Sequence, residues 1–240
     1  MKTKFLFIVV MLISVTQLWA QDVNYGKIPL IGDEAPAFDA VSTNGPISFP
    51  KDFGNSWKIL FSHPRDFTPV CSSEILELAY LQDDFEKLGV KIMVLSTDTL
   101  YAHNTWKKAL ESVKYKGMEP VKIKFPLVDD NNWAISKKYG MIHSAVSRSM
   151  DVRSVFIIGP NNKINAIFYY PNNIGRNMDE IKRTVVALQT ADKTKLCTPA
   201  NWQVGGDLMI PNPTEAEKKD MTLPNSKIYQ VAWFMTFMKN

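Results

Sequence analysis

The 240-residue chain carries 28 Lys and Arg against 24 Asp and Glu, and without its first twenty residues 26 against 24. That near balance, with no basic tract, gives no footing for nucleic acid or an anionic membrane as partner. There is no Cys-x-x-Cys pair, and His63, His103 and His143 show no ligand spacing, which argues against a one-loop dithiol exchanger and against metal catalysis.

In chain order, Lys2 and Lys4 precede an apolar run at 5–15, then Thr16 to Ala20 and Gln21. This is the layout of a secretory signal peptide over residues 1–20, cut after Ala20. About eleven apolar residues fall short of the roughly twenty that span a bilayer. The expectation is an exported protein, periplasmic or secreted, with no stable membrane anchor after cleavage. The remaining residues suffice for one domain and an extension.

Residues 21–56 hold Pro29, Pro36, Pro46 and Pro50 between short apolar pieces, as a lead-in segment or edge hairpin would. Residues 57–62 (WKILFS) read as a central strand. Ile75, Leu78, Leu81 or Gln82, Phe85 and Leu88 then recur at helical spacing over 72–88. A second apolar run at 90–96 completes a β–α–β unit, which implies a parallel pair with a crossover helix. Helices are expected at 103–112 and 133–139, and a hairpin from 154–159 and 164–170 with Asn161-Asn162 at its turn. An amphipathic helix at 178–191 closes a mixed α/β sheet. From 192 to 240 the composition shifts to Lys, Thr, Pro and Asn, with a charged patch at 215–220. That segment reads as an arm packed on the domain or on a partner subunit, its apolar residues too scattered for a core of their own.

One thiol lies where strand gives way to helix. In HPRDFTPVCSSE (63–74), Cys71 falls in the first helical turn, where free backbone N–H groups and the helix dipole favour an anion. His63 and Arg65 are candidates for added positive charge. A lone cysteine is also a common small buried hydrophobe, but an inert thiol needs no Pro and Thr turn in front of it.

The order Pro64, Thr68, Cys71 resembles the peroxiredoxin active-site loop, Pro-x-x-x-Thr-x-x-Cys, and its flanks resemble the 1-Cys members of that AhpC/TSA-type, thioredoxin-like family. The likeness continues through KIMVLSTD (91–98), FPLVDD (125–130), VRSVFIIGP (152–160), YYPNNIGRNMDEI (169–181) and CTPANW (197–202), covering about residues 28–210. It implies a thioredoxin-like fold of the peroxiredoxin type, a mixed central sheet with helices on both faces over 21–191, plus the C-terminal arm at 192–240. It also implies a thiol-dependent peroxidase that needs no cofactor and no metal. The substrate would be hydrogen peroxide or a small hydroperoxide. The reductant would be a thiol, from a thioredoxin-like protein or a small molecule, and the assembly a homodimer or higher homo-oligomer.

Splitting an O–O bond with sulfur needs a thiolate, donors aimed at the oxygens and a fixed cation. Cys71 would be the nucleophile, with Thr68 pointing its hydroxyl toward the sulfur and Pro64 shielding it; alone, either would read as turn chemistry. By the resemblance Arg153, opening the 154–159 strand, is the cation, with Arg148 its rival. Glu74 would orient the arginine or complement the helix N-terminus. Arg176 resembles a second arginine near the family's active site, and His63 a histidine of the 1-Cys members that equally suits packing.

Cys197 sits in a blend of two family patterns, its cysteine as in 2-Cys enzymes and its Thr-Pro as in 1-Cys enzymes. It either resolves a Cys71 sulfenic acid from a partner subunit or is an inert thiol. The Gly-x-Ser-x-Gly stretch linked to phospholipase activity in some 1-Cys members is broken here, by Lys58 at its last glycine and Pro50 where a histidine is expected. Lipase activity is not expected. The competing readings are a non-catalytic thioredoxin-like binding or chaperone module, which would be indifferent to Cys71→Ser, and a disulfide-exchange protein.

Overall fold

The computed structural model describes residues 28–240, so the expected signal peptide lies outside the described residues. Strands β1 (Phe38–Ser42) and β2 (Gly45–Phe49) form the edge hairpin, in antiparallel register from Phe38 opposite Phe49 to Ser42 opposite Gly45. Next come β3 (Trp57–Ser62), α1 (Pro69–Lys87), β4 (Val90–Ser96), α2 (Leu100–Leu110), β5 (Leu127–Asp129) and the short α3 (Ala134–Lys138). The hairpin β6 (Arg153–Ile158) and β7 (Ile164–Tyr170) leads into α4 (Met178–Thr194).

These strands make one seven-stranded sheet in the order β2-β1-β5-β4-β3-β6-β7. β3, β4 and β5 run parallel, joined by helical crossovers, and the other pairings are antiparallel. Every residue of β3 is buried, as expected of a central strand covered on both faces. Alternation then sends Ile59 and Phe61 to one face and Leu60 to the other. The first face packs under α1, α2 and α4, through Ile75, Leu78, Trp106, Ile181 and Val185 among others. Phe38, Phe49, Phe53 and Tyr139 cover the second face beside Ile135 of α3.

α1 begins at Pro69, three residues before the expected start. Proline at the first helical position lacks only an N–H that would have no intrahelical partner, and its fixed φ suits the helix. The helix ends in a tight turn to β4, where Gly89 takes φ +70°, a value open to glycine at little cost.

The arm is more ordered than its composition implied. It forms its own three-stranded antiparallel sheet, in the order β8 (Leu208–Ile210), β10 (Met235–Met238), β9 (Ile228–Ala232). The charged patch at 215–220 is a helix, α5 (Glu215–Asp220), started by a capping box between Thr214 and Glu217. Trp202 and Leu208 pack on Ala187 of α4, and Arg183 Nη1 donates to the Trp202 carbonyl at 3.1 Å. No helix among the described residues is long and apolar enough to cross a membrane.

Candidate active site

The site is built where β3 hands over to α1. Thr68 is the N-cap in extended conformation, and Cys71 falls in the first turn, two residues after Pro69, with its side chain fully buried. The first turn closes with the Ser72 N–H on the Thr68 carbonyl at 2.9 Å.

Arg153, first residue of β6, reaches the sulfur: Nη1 donates to Cys71 Sγ at 3.2 Å and to Glu74 Oε2 at 2.8 Å. The other side of its guanidinium is fixed by the Asn172 carbonyl, 3.1 Å from Nε and 2.6 Å from Nη2. A planar fork held at three points cannot rotate away from the sulfur.

Glu74, one helical turn beyond Cys71, lies between two arginines. Arg176 donates to it from its backbone N–H, Nε and Nη2, at 2.8, 2.9 and 2.7 Å. Arg176 Nη1 also ties the ends of β3 and β6 together, through the carbonyls of Ser62 and Ser154, and its guanidinium lies over the Phe61 ring. Burial alone would raise the Glu74 pKa, but Arg176, then Arg153, outweigh it and hold the carboxyl below its usual range. Two guanidiniums against one carboxylate leave one positive charge uncompensated, and the sulfur is the group in contact with it.

Two expectations change. Thr68 Oγ1 does not donate to the sulfur; it donates to the Arg65 carbonyl at 2.9 Å, so lone pairs are what it offers the site. His63 adds no positive charge, since burial drives its pKa to about 4, with Asp66 opposing and His103 reinforcing. Arg65 is exposed, as is the rival cation Arg148.

Cys197 is exposed; its N–H donates to the Met209 carbonyl and its carbonyl accepts from the Met209 N–H, both at 2.8 Å. Pro64 is buried in the loop. The sequence reading missed Asp66 and the carbonyl of Asn172, whose part depends on the fold rather than on any local pattern. Among the described residues no group of three or more His, Cys, Asp or Glu is placed to hold a metal.

Residues 31–167 match the AhpC/TSA family, and residues 187–223 match the C-terminal domain of 1-Cys peroxiredoxin. A peroxiredoxin of Methanosarcina mazei is 47% identical over 216 residues, 89% of this chain and 99% of that protein. A yeast mitochondrial 1-Cys peroxiredoxin structure, described as resolving its thiol via glutathione/thioredoxin systems, aligns with TM-score 0.78 at 34% identity over 89% of this chain and 100% of that one. A mutant of peroxiredoxin 6 of Arenicola marina aligns at 0.75 and 34%, over 88% and 97%. The non-catalytic module is not favoured beside these relatives. With most of its length matched at these identities, the chain belongs to the AhpC/TSA family of peroxiredoxins, and it is a thiol-dependent peroxidase acting on a peroxide with a thiol as reductant.

Proposed function

We propose that Cys71 is the peroxidatic nucleophile, an assignment carried by the 3.2 Å contact of its sulfur with the Arg153 guanidinium. The Cys71 thiolate attacks the terminal oxygen of hydrogen peroxide or a small organic hydroperoxide. An S–O bond forms as the O–O bond breaks, and the peroxide proton passes to the leaving oxygen, which departs as water or an alcohol and leaves a sulfenate that takes up a proton from solvent. Arg153 faces both the sulfur and the charge that develops on the oxygens. Thr68, its own proton on the Arg65 carbonyl, accepts from the peroxide hydroxyl, and Pro64 keeps water off the sulfur. Glu74 and Arg176 hold Arg153 in place; His63 packs beneath the loop.

The product is a sulfenic acid, which must be reduced or it climbs toward sulfinic acid. We assign its resolution to Cys197 of a partner subunit, giving an intersubunit disulfide and water, which a thioredoxin-like protein or small thiol then reduces. The exposure of Cys197 supports the first step, and the reductants named for the yeast 1-Cys relative support an external thiol as the final reductant. Because Cys71 is fully buried, its side chain has to be uncovered before Cys197 of a partner subunit can reach it.

The rest of the proposal is organisational. Lys2, Lys4 and the apolar run after them support export to the periplasm or medium, with residues 1–20 removed. The separate sheet of the arm supports a division into a domain at 21–191 and an extension at 192–240. Trp233 and Phe234, 85% and 66% exposed at the β9–β10 turn, are apolar surface that a second copy in a homodimer would cover.

The test is one equivalent of hydrogen peroxide followed by reducing and non-reducing gels, comparing wild type with Cys197→Ser. A reducible dimer that needs Cys197 supports the cycle above. Peroxide consumption without that dimer makes Cys197 a bystander and the chain a 1-Cys enzyme.

A further inference from the structure

The loop between β3 and α1 carries both Pro64 and Thr68, yet the Thr68 hydroxyl is bonded within the loop, to Arg65. The residue that fastens the loop to the body is Asp66, which is buried. Its N–H donates to Asp98 Oδ2 at 2.9 Å, and Asp98 is held by the Ser96 hydroxyl at 2.8 Å, so this tie runs to the end of β4. Its carboxylate Oδ2 meets Nδ1 of His103 on α2 at 2.8 Å, and His103 Nε2 reaches the Val128 carbonyl of β5 at 3.1 Å.

Donor accounting makes this bond specific. The Val128 carbonyl only accepts, so His103 Nε2 carries a hydrogen. The contact between Asp66 and Nδ1 then needs a second proton, held by the ring or by the carboxyl. His103 is fully buried, and water cannot replace either partner. The neighbouring His63 does not share the work: its Nε2 is 3.5 Å from Asp66 Oδ1, and both atoms lack a hydrogen-bond partner. Its ring packs on Trp106, with centroids 5.1 Å apart, as a wall behind the tie. Phe67, between Asp66 and Thr68, takes φ +56°, so the loop adopts a backbone that its sequence alone does not favour.

We propose that Asp66 and His103 are positioning residues for peroxide reduction, their buried bond setting the height of Pro64 and Thr68 over Cys71. The inference rests on Cys71 being the nucleophile. Neither side chain touches the sulfur or the peroxide; they act through the loop. A displacement of about 1 Å in such a group costs up to about 100-fold in rate.

Two reactions of Cys71 separate this role from general damage. Oxidation by hydrogen peroxide needs the loop in register, whereas alkylation by iodoacetamide needs only an accessible thiolate. Asp66→Ala and His103→Ala are expected to slow oxidation by roughly 10- to 100-fold without slowing alkylation. The double variant is expected to be no slower than either single one, since one bond is lost in each. Asp66→Asn, whose amide N–H can donate to Nδ1 of a neutral His103, is expected to restore oxidation to within about threefold of wild type. Wild-type oxidation in either alanine variant, equal losses in both reactions, additive losses in the double variant, or an asparagine as slow as alanine would each overturn the proposal. Failure of wild-type Cys71 itself to react with peroxide would instead remove the nucleophile assignment.

Discussion

Arg176 closes on Glu74 with three donors, its backbone N–H, Nε and Nη2, so the carboxylate one turn beyond Cys71 is committed before Arg153 reaches it. The helix that carries the sulfur is thereby anchored to the chain just before α4 and to the first residue of β6.

Glu74→Gln should expose that dependence. The substitution leaves two buried guanidiniums facing a neutral amide, and breaking a buried pair costs about 3–5 kcal/mol. A fall in thermal midpoint is expected together with slower Cys71 oxidation, read by differential scanning calorimetry and by stopped-flow mixing with hydrogen peroxide. Unchanged stability would show that the network does not hold α1.

Arg153→Lys tests the fork itself. A single ammonium cannot satisfy Cys71 Sγ, Glu74 and the Asn172 carbonyl in one geometry. Loss of a preorganised donor to the developing charge is worth about 100-fold or more in rate. The second-order rate constant for peroxide is expected to fall by that order, and a value near wild type would reduce Arg153 to simple charge.

His63 gives a pH prediction with a definite sign. Its folded pKa, about 4, lies below the unfolded value near 6.5, so the unfolded chain binds the extra proton between those values. The stability linked to its neutral form is complete above pH 6.5 and is lost as pH falls toward 4, by roughly 3 kcal/mol. Chemical denaturation of His63→Gln at a series of pH values should show a shallower decline over this range than wild type. Parallel curves would mean that the ring is not kept neutral by burial.

How much of this was legible in the sequence follows the reach of each interaction. The β3–α1 unit and Cys71 announced themselves through short patterns, an apolar strand, helical spacing and a loop motif, while Arg153 was picked out from among several arginines by the family likeness. The Arg176–Glu74 contact spans 102 residues of chain, so the family likeness pointed to Arg176 but nothing in the sequence pointed to its pairing with Glu74. Asp66 sat unread inside the quoted loop because its partner, His103, arrives from another helix. The early start of α1 was hidden by Pro69, a residue that breaks helix interiors but suits their first position. The sheet of the arm was missed because β9 and β10 are partly exposed and carry no strong alternation.

Asp151, just before β6, is fully buried near Asp130 and Ser136, whose hydroxyl donates to Asp130 Oδ2 at 2.6 Å. Burial, opposed by the Ser136 hydroxyl but reinforced by the charges of Asp130 and Asp98, pushes its pKa well above the usual carboxylate range. A raised folded pKa means that stability is present at low pH and is lost as pH rises. Asp151→Asn, neutral throughout, is expected to melt higher than wild type at pH 7 to 8, with a smaller gain near pH 4. An equal melting point at both ends would contradict the buried, proton-holding carboxyl.

The most direct test of the central claim is the mass of the protein after one equivalent of hydrogen peroxide with dimedone present, mapped by peptide and compared with Cys71→Ser. The account expects one dimedone adduct on the peptide containing Cys71, with peroxide consumption abolished in the serine variant. Peroxide consumed at the wild-type rate by Cys71→Ser, or an adduct formed first on Cys197, would contradict it.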